Sequence, residues 1–286
     1  MTIPTQMGVF GGGRMGAGIA HAFLCAGARV TVVESAEENA AAARNRVTSS
    51  VAKAEERGKL AEPASEVLSR LTVTTDHKDL RKCELVVEAV PEDVRLKQQV
   101  LTRIEQVAPS AALATNTSSL SVDVLASQLA RPSDFIGLHF FNPVPASELV
   151  EIVVGGKTRP ALVTAAQEWV ADLGKTAITV TDSPGFASSR LGVAIALEAM
   201  RMLEDGVATA EDIDTAMTKG YKHPVGPLRT TDIVGLDVRL AIAEHLAAEV
   251  GARFEPPAIL REKVASGDLG RKAGQGFYSW PTQSAT

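Results

Sequence analysis

The chain is poor in the features that mark several large protein classes. Of its 286 residues, 4% are aromatic and two are cysteine, and the net charge is −5. The sequence has no run of about 18 apolar residues, the length that a membrane-spanning helix needs. Basic residues are scattered, so no basic patch would follow a nucleic-acid backbone. These absences argue against membrane and nucleic-acid partners.

The two cysteines, Cys25 and Cys83, are too far apart for a metal motif or a redox CxxC pair. Cys25 falls on the apolar side of a helix-like segment, which predicts a buried thiol. The chain does not open with a basic segment leading into an apolar one, as a secretory signal would. We therefore expect a cytoplasmic protein with no metal site.

Short apolar runs alternate with segments of helical periodicity over residues 7–182. This alternation is typical of an α/β protein with a doubly wound, largely parallel sheet. The predicted strands are 7–10, 30–33, 71–75, 85–90, 113–115, 136–140, 150–154 and 178–180. The predicted helices are 15–26, 36–57 (as one helix or two), 92–107, 122–129 and 161–173.

The pattern changes at Asp182-Ser183-Pro184-Gly185-Phe186, where a capping residue followed by proline predicts a helix start. Beyond this segment the apolar periodicity is helical, over 191–203, 233–246 and 259–264, and predicts no further strand. The sequence thus divides into an α/β domain of the Rossmann type, 1–182, and an all-helical domain, 183–286.

A glycine-rich loop follows the first predicted strand and opens the first helix. In Gly11-Gly12-Gly13-Arg14-Met15-Gly16, the first glycine permits a tight turn and Gly13 lets the backbone approach a pyrophosphate. Gly16 permits close packing of helix on strand. We predict that residues of this loop bind a dinucleotide at the helix N-terminus, the binding residues being Gly11, Gly13, Arg14, Met15 and Gly16.

Glu34 ends the second predicted strand, 23 residues beyond the start of this loop. An acid at this place can bind the ribose hydroxyls of the adenosine and repels a 2′-phosphate, so we expect NAD rather than NADP. Arg29 and Arg44 are the alternatives that a phosphate would recruit, but neither follows Glu34 directly.

A histidine and a glutamate interrupt two apolar runs that a proline-containing turn joins. His139 ends the run that begins at Phe135, and Glu151 lies inside the next run, where a carboxylate is costly unless it is paired. Such a pair suits an oriented general base, which an alcohol dehydrogenation needs. The alternative is a structural histidine and an unrelated glutamate on an edge strand.

Nearly end to end, the chain resembles the L-3-hydroxyacyl-CoA dehydrogenases, in particular their short-chain 3-hydroxybutyryl-CoA branch. The resemblance rests on an ordered set of segments: GGGRMG, VVEAVPED, ATNTSSL, GLHFFNPVP, LVEIV, DSPGF, HPVGP, TDIVGLD and GRKAGQGFY. It implies an NAD-dependent enzyme that interconverts L-3-hydroxyacyl-CoA and 3-oxoacyl-CoA. The apolar faces of 191–203 and 233–246 predict a homodimer formed through the helical domain, which we also expect to bind the substrate.

The resemblance assigns roles position by position. His139 and Glu151 match the catalytic histidine and the glutamate that orients it, and Ser118 matches a residue that touches both the substrate oxygen and the nicotinamide. The remaining cofactor contacts are Glu92, Lys97, Asn142 and Lys272. For Glu92 and Lys97 the alternative is an ordinary exposed charge at a helix start, and for Ser118 a turn or a helix cap.

Two parts of the substrate site depart from the family pattern or are loosely placed. Ser189 stands where the family has an asparagine that polarises the reacting carbonyl, so either Ser189 acts through a water or Ser118 carries more of the task. Ser50 and Lys53 are candidates for the acyl-CoA contact by approximate register, with a solvated surface as the alternative.

Two other functions remain open at this stage. One is a related dehydrogenase of a hydroxyacid without CoA, of the gulonate or carnitine type. The other is a protein that binds NAD but has no activity.

Overall fold

The computed structural model describes residues 3–281. These residues form two compact units, with the boundary between Ser183 and Pro184. The sequence predicted the boundary one residue earlier, between 182 and 183 in the DSPGF segment. Each unit contains a hydrophobic core of its own.

One eight-stranded sheet forms the centre of the first unit. Its strands are β1 (Gln6–Phe10), β2 (Arg29–Val33), β3 (Leu71–Thr74), β4 (Leu85–Glu88), β5 (Ala112–Thr115), β6 (Phe135–Phe140), β7 (Leu149–Val154) and β8 (Thr176–Thr181). Their order is β3-β2-β1-β4-β5-β6-β7-β8, and β1 to β6 run parallel to one another. The strand order reverses between β1 and β4, the place where such sheets bind nucleotides. This confirms the predicted doubly wound, largely parallel sheet.

Helices connect most of these strands. They are α1 (Arg14–Cys25), α2 (Glu37–Glu56), α3 (Ala64–Ser69), α4 (Val94–Val107), α5 (Val122–Ala126) and α6 (Pro160–Asp172). The sequence explains where two of them begin, because Asp93 and Ser121 each accept a hydrogen bond from a backbone N–H of the first turn. Helix α1 buries Ile19 and Phe23, one turn apart, against the sheet core.

Strand β7 runs antiparallel to β6, whereas β8 is again parallel to β7. The sequence predicted both strands but not this reversal. The connection over 141–148 has no helix, and a parallel crossover needs a dozen or more residues. The short connection therefore requires the antiparallel pairing.

The second unit is helical: α7 (Ser188–Glu204), α8 (Ala210–Thr215), α9 (Pro227–Val234), α10 (Leu236–Val250) and α11 (Ala258–Ala265). The prediction of one helix over 233–246 is wrong, since the chain turns at Gly235 between α9 and α10. Gly235 has φ = 109°, a value that a side chain would strain. Isolated bridges join Gln275 to Gly270 and to Ser279 near the end of the described chain.

Transmembrane segments are not seen in this part of the chain. Among residues 3–281, every helix is too short or too polar to cross a bilayer.

Candidate active site

The glycine-rich loop forms a tight turn between β1 and α1. Gly11 adopts φ = 97°, and a side chain on Gly16 would place its Cβ 1.8 Å from the Gly11 carbonyl oxygen. A Cβ on Gly13, in contrast, would meet no atom within 4 Å. Helix α1 also begins without a side-chain cap. The loop therefore presents backbone and open space at a helix N-terminus, the arrangement that binds phosphates.

Glu34 lies directly after β2 and faces this loop. Its Oε1 accepts a hydrogen bond from the Gly12 N–H at 2.6 Å, so the carboxylate is fixed beside the turn. Arg46, which the sequence analysis missed, donates from Nη1 to the Gly12 carbonyl at 3.2 Å. Of the two arginines considered as alternatives, Arg44 donates instead to the Val73 carbonyl.

A cavity of about 770 Å³ lies over the loop. Five predicted cofactor residues line it, namely Gly11, Gly13, Arg14, Met15 and Glu34. Arg46 and Asn39 from α2 line it as well. Gly16 is absent from the lining because its role is to let α1 approach the Gly11 carbonyl.

His139 and Glu151 are direct neighbours across the β6–β7 ladder. The Nδ1 atom of His139 lies 2.7 Å from Oε2 of Glu151. The exposed fraction is 7% for His139 and 0% for Glu151. The carboxylate at Nδ1 fixes the orientation of the imidazole ring. The ring of Phe141 packs against the imidazole with the centroids 4.4 Å apart.

A second cavity, of about 360 Å³, has His139 in its wall. Other residues predicted from the sequence line the same cavity, namely Met15, Glu92, Ser118 and Asn142. The structure thus brings together side chains from four separate segments of the first unit. Asn116 also lines it and was missed, although it lies in ATNTSSL, the segment that provides Ser118.

Asn116 ties the loop after β5 to the end of β6. Its Oδ1 accepts a hydrogen bond at 3.0 Å from the N–H of Phe140, the residue that follows His139. The asparagine therefore fixes the loop that carries Ser118 relative to the histidine. The signal in the sequence was a polar residue directly after a buried strand.

Glu92 holds the 117–119 loop through a single carboxylate oxygen. Its Oε1 accepts hydrogen bonds from the Thr117 hydroxyl at 2.6 Å and from the Ser118 N–H at 2.9 Å. The hydroxyl of Ser118 is 3.3 Å from the same oxygen. Burial raises the pKa of Glu92, but the Lys97 ammonium and these hydrogen bonds outweigh it and lower the pKa below its ordinary value.

Lys97 lies behind this loop in a buried ion pair. Its exposed fraction is 1%, and Nζ is 2.7 Å from Oε1 of the equally buried Glu88 and 3.3 Å from Oε2 of Glu92. The alternative of an ordinary exposed charge is thus wrong for Lys97. The residue is also absent from the lining of both cavities.

Glu88 ends β4 and connects several parts of the site. It accepts from Thr115 on β5 and from the Val90 N–H, both at 2.7 Å, besides Lys97. Burial raises its pKa, although Lys97 and the hydrogen bonds act in the opposite direction. Lys97 and Glu88 together fix the strand ends from which the Glu92 loop starts.

Ser50 and Lys53 on α2 line two adjoining cavities of about 450 and 360 Å³. The larger one also has Arg14, Arg46 and Asn142 in its wall, and the other has His21, Cys25, Arg57, Lys59 and Lys175. Both cavities are rich in cationic side chains and suit an anionic ligand.

His21, which was not predicted from the sequence, supports Ser50. Its Nδ1 lies 3.0 Å from the Ser50 hydroxyl and its Nε2 lies 3.6 Å from the Cys25 sulfur. Burial and the nearby Lys175 lower the pKa of His21, which favours the neutral ring. Cys25 is half-buried and lines a cavity, so the expectation of a buried thiol is wrong. Cys83 is buried, and burial raises its pKa to about 12.

Two predicted site residues belong to the second unit. Ser189 is the second residue of α7 and is half-buried. Lys272 lies in a short helical turn, Arg271–Ala273, with Nζ 2.6 Å from the Asp237 carboxylate on α10. The ion pair fixes the lysine against the start of that helix.

Two family models match the chain over almost its whole length. The NAD-binding domain of 3-hydroxyacyl-CoA dehydrogenase matches residues 6–183, and the C-terminal domain of the same enzyme matches residues 185–280.

Individual relatives agree with the family models. A probable 3-hydroxybutyryl-CoA dehydrogenase of Deinococcus radiodurans is 39% identical, over 96% of this chain and 100% of its own. Among solved structures, FadB2 of Mycobacterium tuberculosis is 41% identical with a TM-score of 0.91, over 97% and 99% of the two chains. The (S)-3-hydroxybutyryl-CoA dehydrogenase PaaH1 of Ralstonia eutropha is 37% identical with a TM-score of 0.94, over 98% and 100%.

Proposed function

The chain belongs to the 3-hydroxyacyl-CoA dehydrogenase family, and we propose that His139 and Glu151 carry its reaction. The protein is an NAD-dependent oxidoreductase that interconverts L-3-hydroxyacyl-CoA and 3-oxoacyl-CoA. The 2.7 Å contact between the imidazole and the buried carboxylate, in the wall of the cavity that Ser118 and Asn142 also line, supports the assignment of the catalytic pair. The names of the relatives favour a short acyl chain, as in 3-hydroxybutyryl-CoA.

The residues around the glycine-rich loop fit NAD. Open space over Gly13 and the uncapped start of α1 suit the pyrophosphate. Glu34, held by the Gly12 N–H, suits the adenosine ribose and disfavours a 2′-phosphate. Arg14 and Met15 line the cavity over the glycine-rich loop. Glu92 and Asn142 line the cavity of His139, where they would meet the nicotinamide half of NAD. Lys97 acts through Glu92, and Lys272 remains a predicted contact from the second unit.

In the oxidation, Nε2 of His139 removes the proton of the C3 hydroxyl. NAD bound over the glycine-rich loop would supply the acceptor for the hydride that leaves C3. The imidazole becomes positively charged, and the buried Glu151 carboxylate at Nδ1 stabilises that charge. In the reduction, His139 returns the proton to the oxygen.

The C3 oxygen also needs hydrogen-bond donors while its charge changes. The Ser118 hydroxyl lines the cavity that contains His139, and Glu92 and Asn116 hold its loop in place. Ser189, which corresponds to the family asparagine, has a shorter side chain and reaches less far. It is therefore the weakest member of the proposed catalytic set.

The CoA moiety carries several phosphates, and the basic cavities beside α2 suit them. Ser50 and Lys53 line both cavities, and the larger cavity reaches Asn142, which also lines the cavity of His139. The cationic lining favours CoA thioesters over free hydroxyacids of the gulonate or carnitine type.

The protein acts as a homodimer joined through its helical unit. Large apolar side chains are exposed on that unit, among them Leu191 and Ile195 one turn apart on α7, and Val238 on α10. Isologous contact between two copies would cover them. We place the protein in the cytoplasm, in agreement with its two unbridged cysteines.

The central experiment is an initial-rate assay of the purified protein with acetoacetyl-CoA and NADH, compared with the His139→Gln variant. We expect turnover by the wild type and a kcat lowered by about 1,000-fold in the variant, because general acid–base catalysis typically accelerates a reaction by about 10²–10⁴-fold. Gln has no titratable nitrogen.

Parallel assays separate the alternatives. No turnover of the CoA ester, together with oxidation of free hydroxyacids, would show that the substrate assignment is wrong. Equal efficiency with NADH and NADPH would contradict the role of Glu34. An unchanged kcat in His139→Gln would overturn the mechanism even if the wild type were active.

A further inference from the structure

Glu92 places a carboxylate in the wall of the cavity that contains His139. Among the described residues that line this cavity, it is the only carboxylate. Its side chain keeps an exposed fraction of 36%, whereas Lys97 and Glu88 behind it are buried. Burial disfavours the charged form of Glu92, but the Lys97 ammonium and the hydrogen bonds outweigh it and hold the pKa below its ordinary value. The cavity wall therefore carries a negative charge at neutral pH.

Lys97 does not cancel this charge, because two carboxylates share its ammonium. Its Nζ lies 2.7 Å from Oε1 of Glu88 and 3.3 Å from Oε2 of Glu92. Glu88 also accepts hydrogen bonds from the Thr115 hydroxyl and the Val90 N–H, and three donors with no acceptor suit an ionised carboxylate. One cation between two carboxylates leaves one net negative charge. Since Lys97 is nearer to Glu88, the uncompensated part of that charge lies at Glu92, on the side of the cavity.

The cavity of His139 adjoins the cavity over the glycine-rich loop. Three residues line both cavities, namely Met15, Ala89 and Val90. In the proposed function, the adenosine half of NAD lies beside Glu34 in the loop cavity. Hydride transfer requires the nicotinamide ring to contact the carbon whose hydroxyl His139 deprotonates. The ring must therefore lie in the cavity that Glu92 lines.

We propose that the Glu92 carboxylate makes the site favour oxidised NAD over NADH, an inference that rests on the proposed function. The nicotinamide ring carries a positive charge in oxidised NAD and none in NADH, so a carboxylate beside it stabilises the oxidised form alone. In the oxidation, this positive charge passes from the ring to the imidazole of His139. Glu92 and Glu151 then stand at the two ends of that movement, and the positive charge has a carboxylate partner on either side of the reaction.

The test measures the Kd of oxidised NAD and of NADH by calorimetric titration, for the wild type and for Glu92→Gln. Glutamine can still accept hydrogen bonds from Thr117 and Ser118 through its amide oxygen, so the variant removes the charge and keeps the loop. We expect the affinity for oxidised NAD to fall by about ten-fold more than the affinity for NADH, as one charge interaction in a partly screened site predicts. The ratio of the two Kd values is the readout, and it does not depend on turnover.

Glu34→Gln is the matched control, because it removes a carboxylate from the adenosine end of the same binding site. The adenosine half is identical in the two forms of the cofactor, so this variant should weaken both by the same factor. Asn142→Asp is the reciprocal variant, since it adds a carboxylate to the cavity of His139 on an exposed side chain of the same size. We expect it to shift the ratio of the two Kd values by about ten-fold in favour of oxidised NAD.

Three results would contradict the role of Glu92. An equal loss of affinity for both forms in Glu92→Gln would overturn it, because a residue that only holds the 117–119 loop predicts that result. A ratio that shifts by the same factor in Glu34→Gln would overturn it as well. If Glu92→Gln does not fold, an unchanged ratio in Asn142→Asp would decide against it. A wild type that reduces acetoacetyl-CoA keeps the proposed function in all three cases, whereas a wild type that binds neither form of NAD would overturn the proposed function itself.

Discussion

At the scale of single residues, the burial of the Glu151 carboxylate explains why it pairs with the imidazole of His139. The carboxylate is excluded from water, and a buried charge is stable only when it is paired and hydrogen-bonded. His139 supplies one such partner through Nδ1 at 2.7 Å. Because the ladder aligns the two residues directly, the imidazole is held in one orientation without a flexible intermediary.

Glu151→Gln keeps the size of the side chain but removes its charge. In the proposed mechanism, the imidazolium that forms in the oxidation then loses its stabilising carboxylate, and we expect kcat to fall by about 100-fold with KM little changed. Steady-state kinetics with 3-hydroxybutyryl-CoA and NAD measures this. Glu148→Gln, an exposed charge three residues earlier in the chain, is the control. Equal kcat values in the two variants would exclude an electrostatic role for Glu151.

The sequence predicted which residues meet at the cavity of His139, but not how they are supported. Ser118 and Asn142 were assigned through the resemblance to the family, on the segments ATNTSSL and GLHFFNPVP. Asn116 and His21 were missed because their roles depend on partners 24 and 29 residues away. Lys97 was predicted as a cofactor contact, and its placement behind Glu92 became visible only with the fold.

At the scale of secondary-structure elements, local patterns located the strands and most of the helices. The helix predicted at 92–107 begins two residues later because Asp93 caps it. The break at Gly235 was missed because apolar periodicity continues across it. The direction of β7 was also missed, since periodicity carries no information on strand direction.

The two ends of the glycine-rich loop should respond differently to one added methyl group. In Gly16→Ala the Cβ would overlap the Gly11 carbonyl, so we expect a loss of about 3 kcal/mol in the free energy of unfolding. In Gly13→Ala the Cβ enters open space at φ = −59°, which alanine adopts readily. That variant should fold normally but bind NAD weakly.

Urea unfolding and calorimetric titration with NAD measure these two effects. Gly13→Ala is the matched control for stability, since both variants add the same methyl group to the same loop. Wild-type affinity for NAD in Gly13→Ala would show that the pyrophosphate does not approach this glycine. Wild-type stability in Gly16→Ala would contradict the close contact of α1 with the turn.

At the scale of the whole molecule, the exposed apolar face of the helical unit predicts the assembly. Leu191 has an exposed fraction of 64%. Leu191→Glu would bury a charge in the proposed interface, and we expect a monomer at protein concentrations where the wild type is dimeric. Light scattering coupled to size-exclusion chromatography measures the mass.

Val124→Glu is the control for that experiment. Val124 is also apolar and exposed, at 48%, but it lies on α5 in the first unit. It should leave the dimer intact. A wild type that is monomeric throughout, or a Leu191→Glu variant that stays dimeric, would contradict an interface through α7.

The division of the chain into two units was visible in the sequence because strand patterns stop at the DSPGF segment. Gly185 and Phe186 both adopt positive φ values within it, at 74° and 48°. Periodicity located the end of the strand pattern. It did not predict the positive φ values, because these depend on how the buried side chain of Phe186 packs.

The pairing of His139 with Glu151 across two hydrogen-bonded strands also determines which changes of chain length the enzyme tolerates. Inserting one residue within β7 shifts the register and turns Glu151 to the opposite face of the sheet. An insertion in the 141–148 connection leaves the register intact. We therefore expect homologues to vary in length in that connection and not in either strand, because the ladder that holds the sheet together also aligns the proposed proton-transfer pair.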